Sequence, residues 1–276
     1  MLIQIGDYPL HAYATMLSVA FVVGTLLAVR EADKRGVWIS PEVGIWVFLG
    51  ALLGAKAFYI IQYQAIGELW KMFLLWRGGL VYYGGLGGGM AAAWLYVRHN
   101  KIAPFFAADV FVPYLALGQA ITRVGCFLNG CCWGGVTAMP WGLRFPAGSP
   151  IYSYQVEQGF ITAAAGKTLP VHPTQLYMVA GLLVIMLVLK FSLDRRRFTG
   201  HTALLYGVLY GVLRFIVEGL RGDSVRSVFG MTVSQTISLA LALGCGIAMA
   251  VVLKRGRVSN GGVESGIKEE ASSAPE

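Results

Sequence analysis

Arg214 and Glu218 stand four residues apart and Arg221 seven beyond the first, so a helix through them carries all three on one face. The first two fall inside an otherwise apolar run, 202–220, where an ionised side chain costs at least about 2.5–3.5 kcal/mol and faces a partner or a cavity. An internal ion pair that holds helices together is one explanation. Arg123, at the end of another apolar run, adds a second: guanidiniums gathered together suit a phosphodiester, because each offers a planar, permanently charged fork to phosphate oxygens. Just beyond Arg123, Cys126, Cys131 and Cys132 surround Asn129. The adjacent Cys131-Cys132 pair lacks the CxxC spacing of a zinc knuckle, even with His172 as a fourth ligand. No metal is therefore expected, and a disulfide within the cluster is the ordinary outcome in an oxidising compartment. Cys245 reads as a small hydrophobe.

Three other features invite chemistry. Lys56 follows Gly50, Ala51, Gly54 and Ala55, a small-residue face suited to helix contact, and either snorkels or serves the site. Asp109 reads as a structural partner for a cation or a hydrogen-bonded polar site, without a catalytic role. The run Gly84-Gly85-Leu86-Gly87-Gly88-Gly89 is no phosphate loop: no Lys-Ser/Thr follows and no strand precedes it. Glycines within a span permit close packing or a break lining a cavity.

The elements that position these residues must be transmembrane helices. The chain has 276 residues, 56% hydrophobic and only 13% charged, with a mean hydropathy of +0.63, too apolar for a soluble domain at about 25% charged. Disorder, collagen, a disulfide miniprotein and a nucleic-acid reader are disfavoured, despite a net charge of +8. Stretches near 12–29, 43–64, 79–97, 104–124, 173–192, 202–220 and 231–253 meet the length of roughly 20 residues that a crossing needs. The expected fold is an all-α membrane protein of seven transmembrane helices, the third and last having no charge. Arg30, Lys34, Arg35, Arg98, Lys101, Lys190, Arg195, Arg196, Arg197, Lys254, Arg255 and Arg257 follow alternate spans. The positive-inside rule then puts the N-terminus outside and the C-terminus in the cytoplasm, with the first span retained and not cleaved as a signal peptide. In a bacterium this is the cytoplasmic (inner) membrane. One membrane domain, 1–258, is expected to carry a small irregular outer head at 129–172 and an interfacial amphipathic helix at 65–77; a disordered tail, 259–276, follows.

Three runs together, Arg123-Val124-Gly125-Cys126-Phe127-Leu128-Asn129-Gly130-Cys131-Cys132-Trp133-Gly134, His172-Pro173-Thr174-Gln175-Leu176-Tyr177 and Arg214-Phe215-Ile216-Val217-Glu218, resemble the prolipoprotein diacylglyceryl transferase family. His11-Ala12-Tyr13 resembles its His/Tyr motif in the first span, and Gly79-Leu80-Val81-Tyr82-Tyr83-Gly84-Gly85-Leu86 its glycine-flanked motif in the third. The resemblance implies transfer of the diacylglyceryl group of phosphatidylglycerol to the lipobox cysteine of a preprolipoprotein, releasing glycerol phosphate, with no cofactor and no nucleic acid involved. It makes Arg123 the phospholipid-binding arginine, Arg214 the second essential arginine, Glu218 the carboxylate beside it, Tyr13 the essential tyrosine and Gly134 the glycine closing the signature. Asn129 also falls within that substrate-binding signature. The sequence departs from the family at three places: Tyr83 replaces a histidine, Cys126 an asparagine and Cys131 a glutamate.

A thiol attacking a glycerol carbon needs its proton removed, and the phosphate leaving group gains charge as the C–O bond breaks. Fixed guanidiniums stabilise that charge more in the transition state than before it. Arg123 and Arg214 are expected to clamp the phosphate, Glu218 to orient Arg214, and Tyr83 or Tyr13 to hydrogen-bond the sulfur or a phosphate oxygen. His11 and His172 are candidate bases. A polytopic transporter and a cysteine-based membrane redox protein are the competing classes. The absence of an internal repeat and the gathering of charge on one side disfavour the transporter.

Overall fold

The computed structural model describes residues 2–5, 8–63, 81–222, 226–228 and 230–272, with side chains at 12–62, 81, 83–222 and 230–255. The helices are α1 (Ala12–Lys34), α2 (Val43–Tyr63), α3 (Tyr82–His99), α4 (Pro104–Asn129), a short α5 (Pro150–Glu157), α6 (Thr174–Asp194), α7 (His201–Gly219) and α8 (Val233–Ser272). Two small antiparallel hairpins accompany them: β1 (Leu2–Ile5) pairs with β2 (Tyr8–His11), and β3 (Arg226–Val228) with β4 (Met231–Thr232).

Among the described residues six helices are long and apolar enough to cross a bilayer, and the fold is that of an all-α membrane protein. The expected third span is not among the six. Although free of charge up to Val97, α3 spends five glycines and three tyrosines on 18 residues. The 18 residues of α3, a seventh long helix, run past the expected span onto Arg98 and His99, while 79 and 80 of that span lie outside the described residues. Trp46, Phe48, Ile61, Trp94, Leu187 and Ile247 stand exposed on the bundle, the distribution expected where the surrounding solvent is lipid.

Helix pairs close through small residues. Gly50 and Gly54 of α2 meet Gly84 and Gly88 of α3 backbone to backbone; a Cβ on Gly54 would lie 2.8 Å from Gly88 Cα. The glycine run thus packs helices, as its position inside a span predicts. Gly24 and Gly118 do the same for α1 and α4, and Gly207 and Gly211 for α7 and α8, where Cys245 covers Gly207. Between α4, α6 and α7 lies a core of Val112, Ala116, Ala120, Met178, Leu182, Ile185, Leu189 and Val217.

Two polar clusters secure the end of the bundle away from the head. Asp109 of α4, fully buried, accepts from the Gly200 N–H at 2.7 Å and the Ala203 N–H at 2.9 Å. It satisfies amides that the start of α7 would otherwise leave unpaired, the structural role expected of it. Glu31 of α1 accepts from Lys190 Nζ of α6 at 2.6 Å, the Tyr114 hydroxyl of α4 at 2.8 Å and Arg35 at 2.9 Å, while Arg35 also pairs with Asp194. Lys56 is buried with its ammonium 5.4 Å from the centre of the Tyr59 ring.

The head is irregular. Trp133, Phe145, Ile151 and Val171 form its core, and isolated bridges join Val136 and Leu143 to Val171. Ser149 caps α5, its Oγ accepting from the Tyr152 N–H, with Pro150 in the first turn. The expected amphipathic helix at 65–77 lies outside the described residues. Past the apolar part of α8, which ends at Arg255, the helix continues to Ser272 where disorder is expected from 259 onward.

Candidate active site

The signature begins on the last turns of α4 and ends inside the head. Gly130, left-handed at φ 69°, stops the helix, and the Cys131 N–H turns back to the Cys126 carbonyl at 3.1 Å. Arg123, half-buried, lies two turns before that stop. Gly134 then enters a gap that only a glycine fits: a Cβ would lie 2.5 Å from His172 Cβ and 2.9 Å from the Leu220 carbonyl. Its N–H donates to the His172 carbonyl at 3.0 Å, the Gly135 N–H donates to the Leu220 carbonyl at 2.9 Å, and Gly134 bridges to Arg221. The backbone of the signature is thereby fastened to the end of α7.

That fastening completes an ionic cluster. Glu218, buried, accepts from Arg214 Nη2 at 2.8 Å and Arg221 Nη1 at 3.4 Å, and the Thr232 hydroxyl donates to its other oxygen at 3.3 Å. Arg123 and Arg221 are both close enough to repel the charge on Arg214. Among the described residues, two guanidiniums therefore share one carboxylate, and a third, that of Arg123, stands near Arg214. The helical spacing predicts the contact of Arg214 with Glu218; the approach of Arg123 from α4 needs the tertiary fold.

Around this cluster lie the thiols. Cys126, Cys131 and Cys132 bring their sulfurs within 4.8 Å of one another and all three are unbonded. The expected disulfide is absent: the turn at Gly130 and the left-handed Cys132, φ 60°, converge three sulfurs without joining any two. Hydrogen bonds from the Cys126 and Cys131 thiols, and then the charges of Arg221 and Arg123, hold Cys132 well below the ordinary thiol range despite its burial.

Tyr13, on the first turn of α1, lies within electrostatic reach of Arg123 and all three cysteines, and Gly125 gives α1 room to approach, its own Cβ position lying 3.3 Å from Tyr13 Cα. Tyr83 stands 61% exposed at the start of α3, a helix that packs chiefly on α2. His172 Nδ1 lies 3.2 Å from the Tyr177 hydroxyl, which also accepts from the Trp141 indole at 2.7 Å. Asn129 lies beside Cys131 at the end of α4. The His11 side chain lies outside the description. Sequence reasoning assigned no role to Thr174 and Gln175, which donate to the Cys132 and Cys131 carbonyls at 2.8 and 2.7 Å; their place beside His172 in one motif was the available signal.

Fold and site together define a multi-pass helical membrane protein with a guanidinium-rich cluster where helices meet the head. The family model for prolipoprotein diacylglyceryl transferase matches residues 1–252. Curated relatives named phosphatidylglycerol–prolipoprotein diacylglyceryl transferase include one from Gloeobacter violaceus, 33% identical with 87% of each chain covered. Another, from Nitratidesulfovibrio vulgaris, is 33% identical over 87% of this chain and 89% of its own, and one from Vibrio vulnificus is 31% identical over 92% and 91%. This chain belongs to the prolipoprotein diacylglyceryl transferase family.

Proposed function

We propose that this protein transfers the diacylglyceryl group of phosphatidylglycerol to the lipobox cysteine thiol of preprolipoproteins and releases glycerol phosphate. The observation that carries the reading is the surplus of guanidinium around Glu218, in a family whose curated members are named for this reaction. Arg123 and Arg214 hold the lipid phosphate, and Glu218 fixes Arg214 through its salt bridge. As the glycerol C–O bond breaks, charge grows on the phosphate and meets cations already in place. Tyr13, near Arg123 and the thiols, is better situated than exposed Tyr83 to hydrogen-bond the incoming sulfur or a phosphate oxygen. Asn129 and Gly134 shape the substrate site, Gly134 by letting three backbone segments meet. His172 and His11 are the candidate bases. No step in this reading requires a bound cofactor, and nucleic acid has no part in it.

The site faces the outer side of the bacterial cytoplasmic membrane in this reading. The N-terminus is outside and the C-terminus is cytoplasmic, because Arg30, Lys34, Arg35, Arg98, Lys101, Lys190, Arg195, Arg196, Arg197, Lys254 and Arg255 follow alternate spans at the end of the bundle opposite the head. Membranes containing the protein, given phosphatidylglycerol and a fluorescent lipobox peptide, should yield a lipidated peptide. Arg123→Ala should abolish the product while the protein stays in the membrane. Full activity in that variant after purification contradicts the phosphate clamp.

A further inference from the structure

Two of the three departures from the family pattern fall together: Cys126 and Cys131 join Cys132 in one place. We propose that these three cysteines form a site for a thiophilic d10 cation, zinc, whose open fourth position takes the acceptor thiol. The inference rests on the transferase reading and gives the acceptor sulfur an activation other than the candidate bases His172 and His11.

Several independent features build the site. The three sulfurs lie within 4.8 Å of one another. Zinc–sulfur bonds of about 2.3 Å in a tetrahedron set sulfurs roughly 3.8 Å apart, so small side-chain movements close the set. Holding them there strains the backbone. Cys132 is one of two non-glycine residues at positive φ among those described, a conformation that costs on the order of 1 kcal/mol and persists where the surroundings enforce it. Two buried side chains of α6 enforce it. Thr174 donates to the Cys132 carbonyl and Gln175 to the Cys131 carbonyl, while Gln175 Oε1 is left buried without a hydrogen-bond partner. Ligand-bearing segments are commonly steadied by such outer contacts.

Charge agrees with this assignment. Three thiolates around a dication leave one negative charge, and Arg123 and Arg221 stand within electrostatic reach of Cys132 to offset it. Three protein ligands, where structural zinc sites have four, leave a position for a reacting group. The acceptor thiol gives its proton to solvent as it enters that position. Its sulfur then forms the S–C bond to the glycerol carbon while the C–O bond breaks, and the electron pair departs on the oxygen of glycerol phosphate. No group is oxidised or reduced. A free thiol is about 3% thiolate at neutral pH, so holding it ionised is worth about 30-fold in rate.

The test uses the full chain purified in detergent. Elemental analysis should find one zinc per chain in the wild type, and none in Cys131→Ser or Cys132→Ser variants that still reach the membrane in normal yield. Stripping the wild type with a chelator should lower transfer to a lipobox peptide about 30-fold, and zinc alone should restore it. A zinc-free wild type, a copper-loaded one, or full transfer after stripping overturns the zinc site and leaves the transferase reading standing. Zinc held by the three cysteines without any transfer in the loaded protein supports the site, and overturns its role on the acceptor together with the transferase reading. Should both serine variants fail to accumulate, the reactivity of wild-type thiols to iodoacetamide decides. Zinc must protect three thiols per chain, and equal labelling with and without it overturns the proposal.

Discussion

The two ends of the bundle each gather buried charge, in opposite proportions. Away from the head, Glu31 and Asp194 meet Arg35 and Lys190, with the Tyr114 hydroxyl completing the set and α1, α4 and α6 tied together. At the head, among the described residues, one carboxylate, Glu218, meets Arg214 and Arg221, with Arg123 near Arg214. A matched set of charges is finished when the protein folds and acts as a pin. An unmatched set retains attraction for an anion from outside, at the cost of mutual repulsion among its cations. Similar residues thus do structural work at one end and binding at the other, and the ratio of signs tells them apart.

The sharpest way to break that comparison is Arg214→Ala, which should lower lipid transfer by about 10²–10³-fold, the loss expected for a transition-state donor. Arg214→Lys should recover little, since a point charge lacks the planar fork. Unchanged kinetics for either variant in the peptide assay means that the head cluster is a pin as well. At the other end, Glu31→Gln should cost about 2 kcal/mol of stability, the partners being partly open to solvent. The unfolding midpoint in detergent should fall while the transfer rate of the folded protein holds; a large kinetic loss at an unchanged midpoint reverses the assignment. Tyr13→Phe should slow transfer by about tenfold, a single hydrogen bond to a charged group being worth about 1.5 kcal/mol. Tyr83→Phe should stay near the wild-type rate in the same assay, and equal losses in the two would return Tyr83 to the site. Smallest is Asp109→Ala, where losing the cap on α7 should cost about 1 kcal/mol, read as a modest drop in midpoint with activity intact.

How far the sequence displayed this arrangement depended on distance along the chain. Arg214, Glu218 and Arg221 are legible because helical periodicity alone puts them on one face, and the glycines of α2 and α3 because their four-residue spacing repeats in both helices. The pin is not legible. Glu31 lies 83 residues from Tyr114 and 159 from Lys190, and basic residues at helix ends read only as a topology signal. The convergence of thiols was hidden for another reason. The spacing of Cys126, Cys131 and Cys132 fails every familiar ligand pattern, and the sulfurs meet only because Gly130 and Cys132 both turn left-handed.

Those glycine seams also limit how the molecule can breathe. Helices locked at the level of the main chain, as α2 is to α3 and α7 to α8, cannot slide past one another in small steps, because each intermediate register would drive a neighbouring side chain into a carbonyl. Room for two acyl tails has to come from pairs parting as rigid staves. Among the described residues the α2–α3 pair touches α1 and α4 far less than α2 touches α3, so a parting of the bundle is expected at those boundaries and not along the glycine seams.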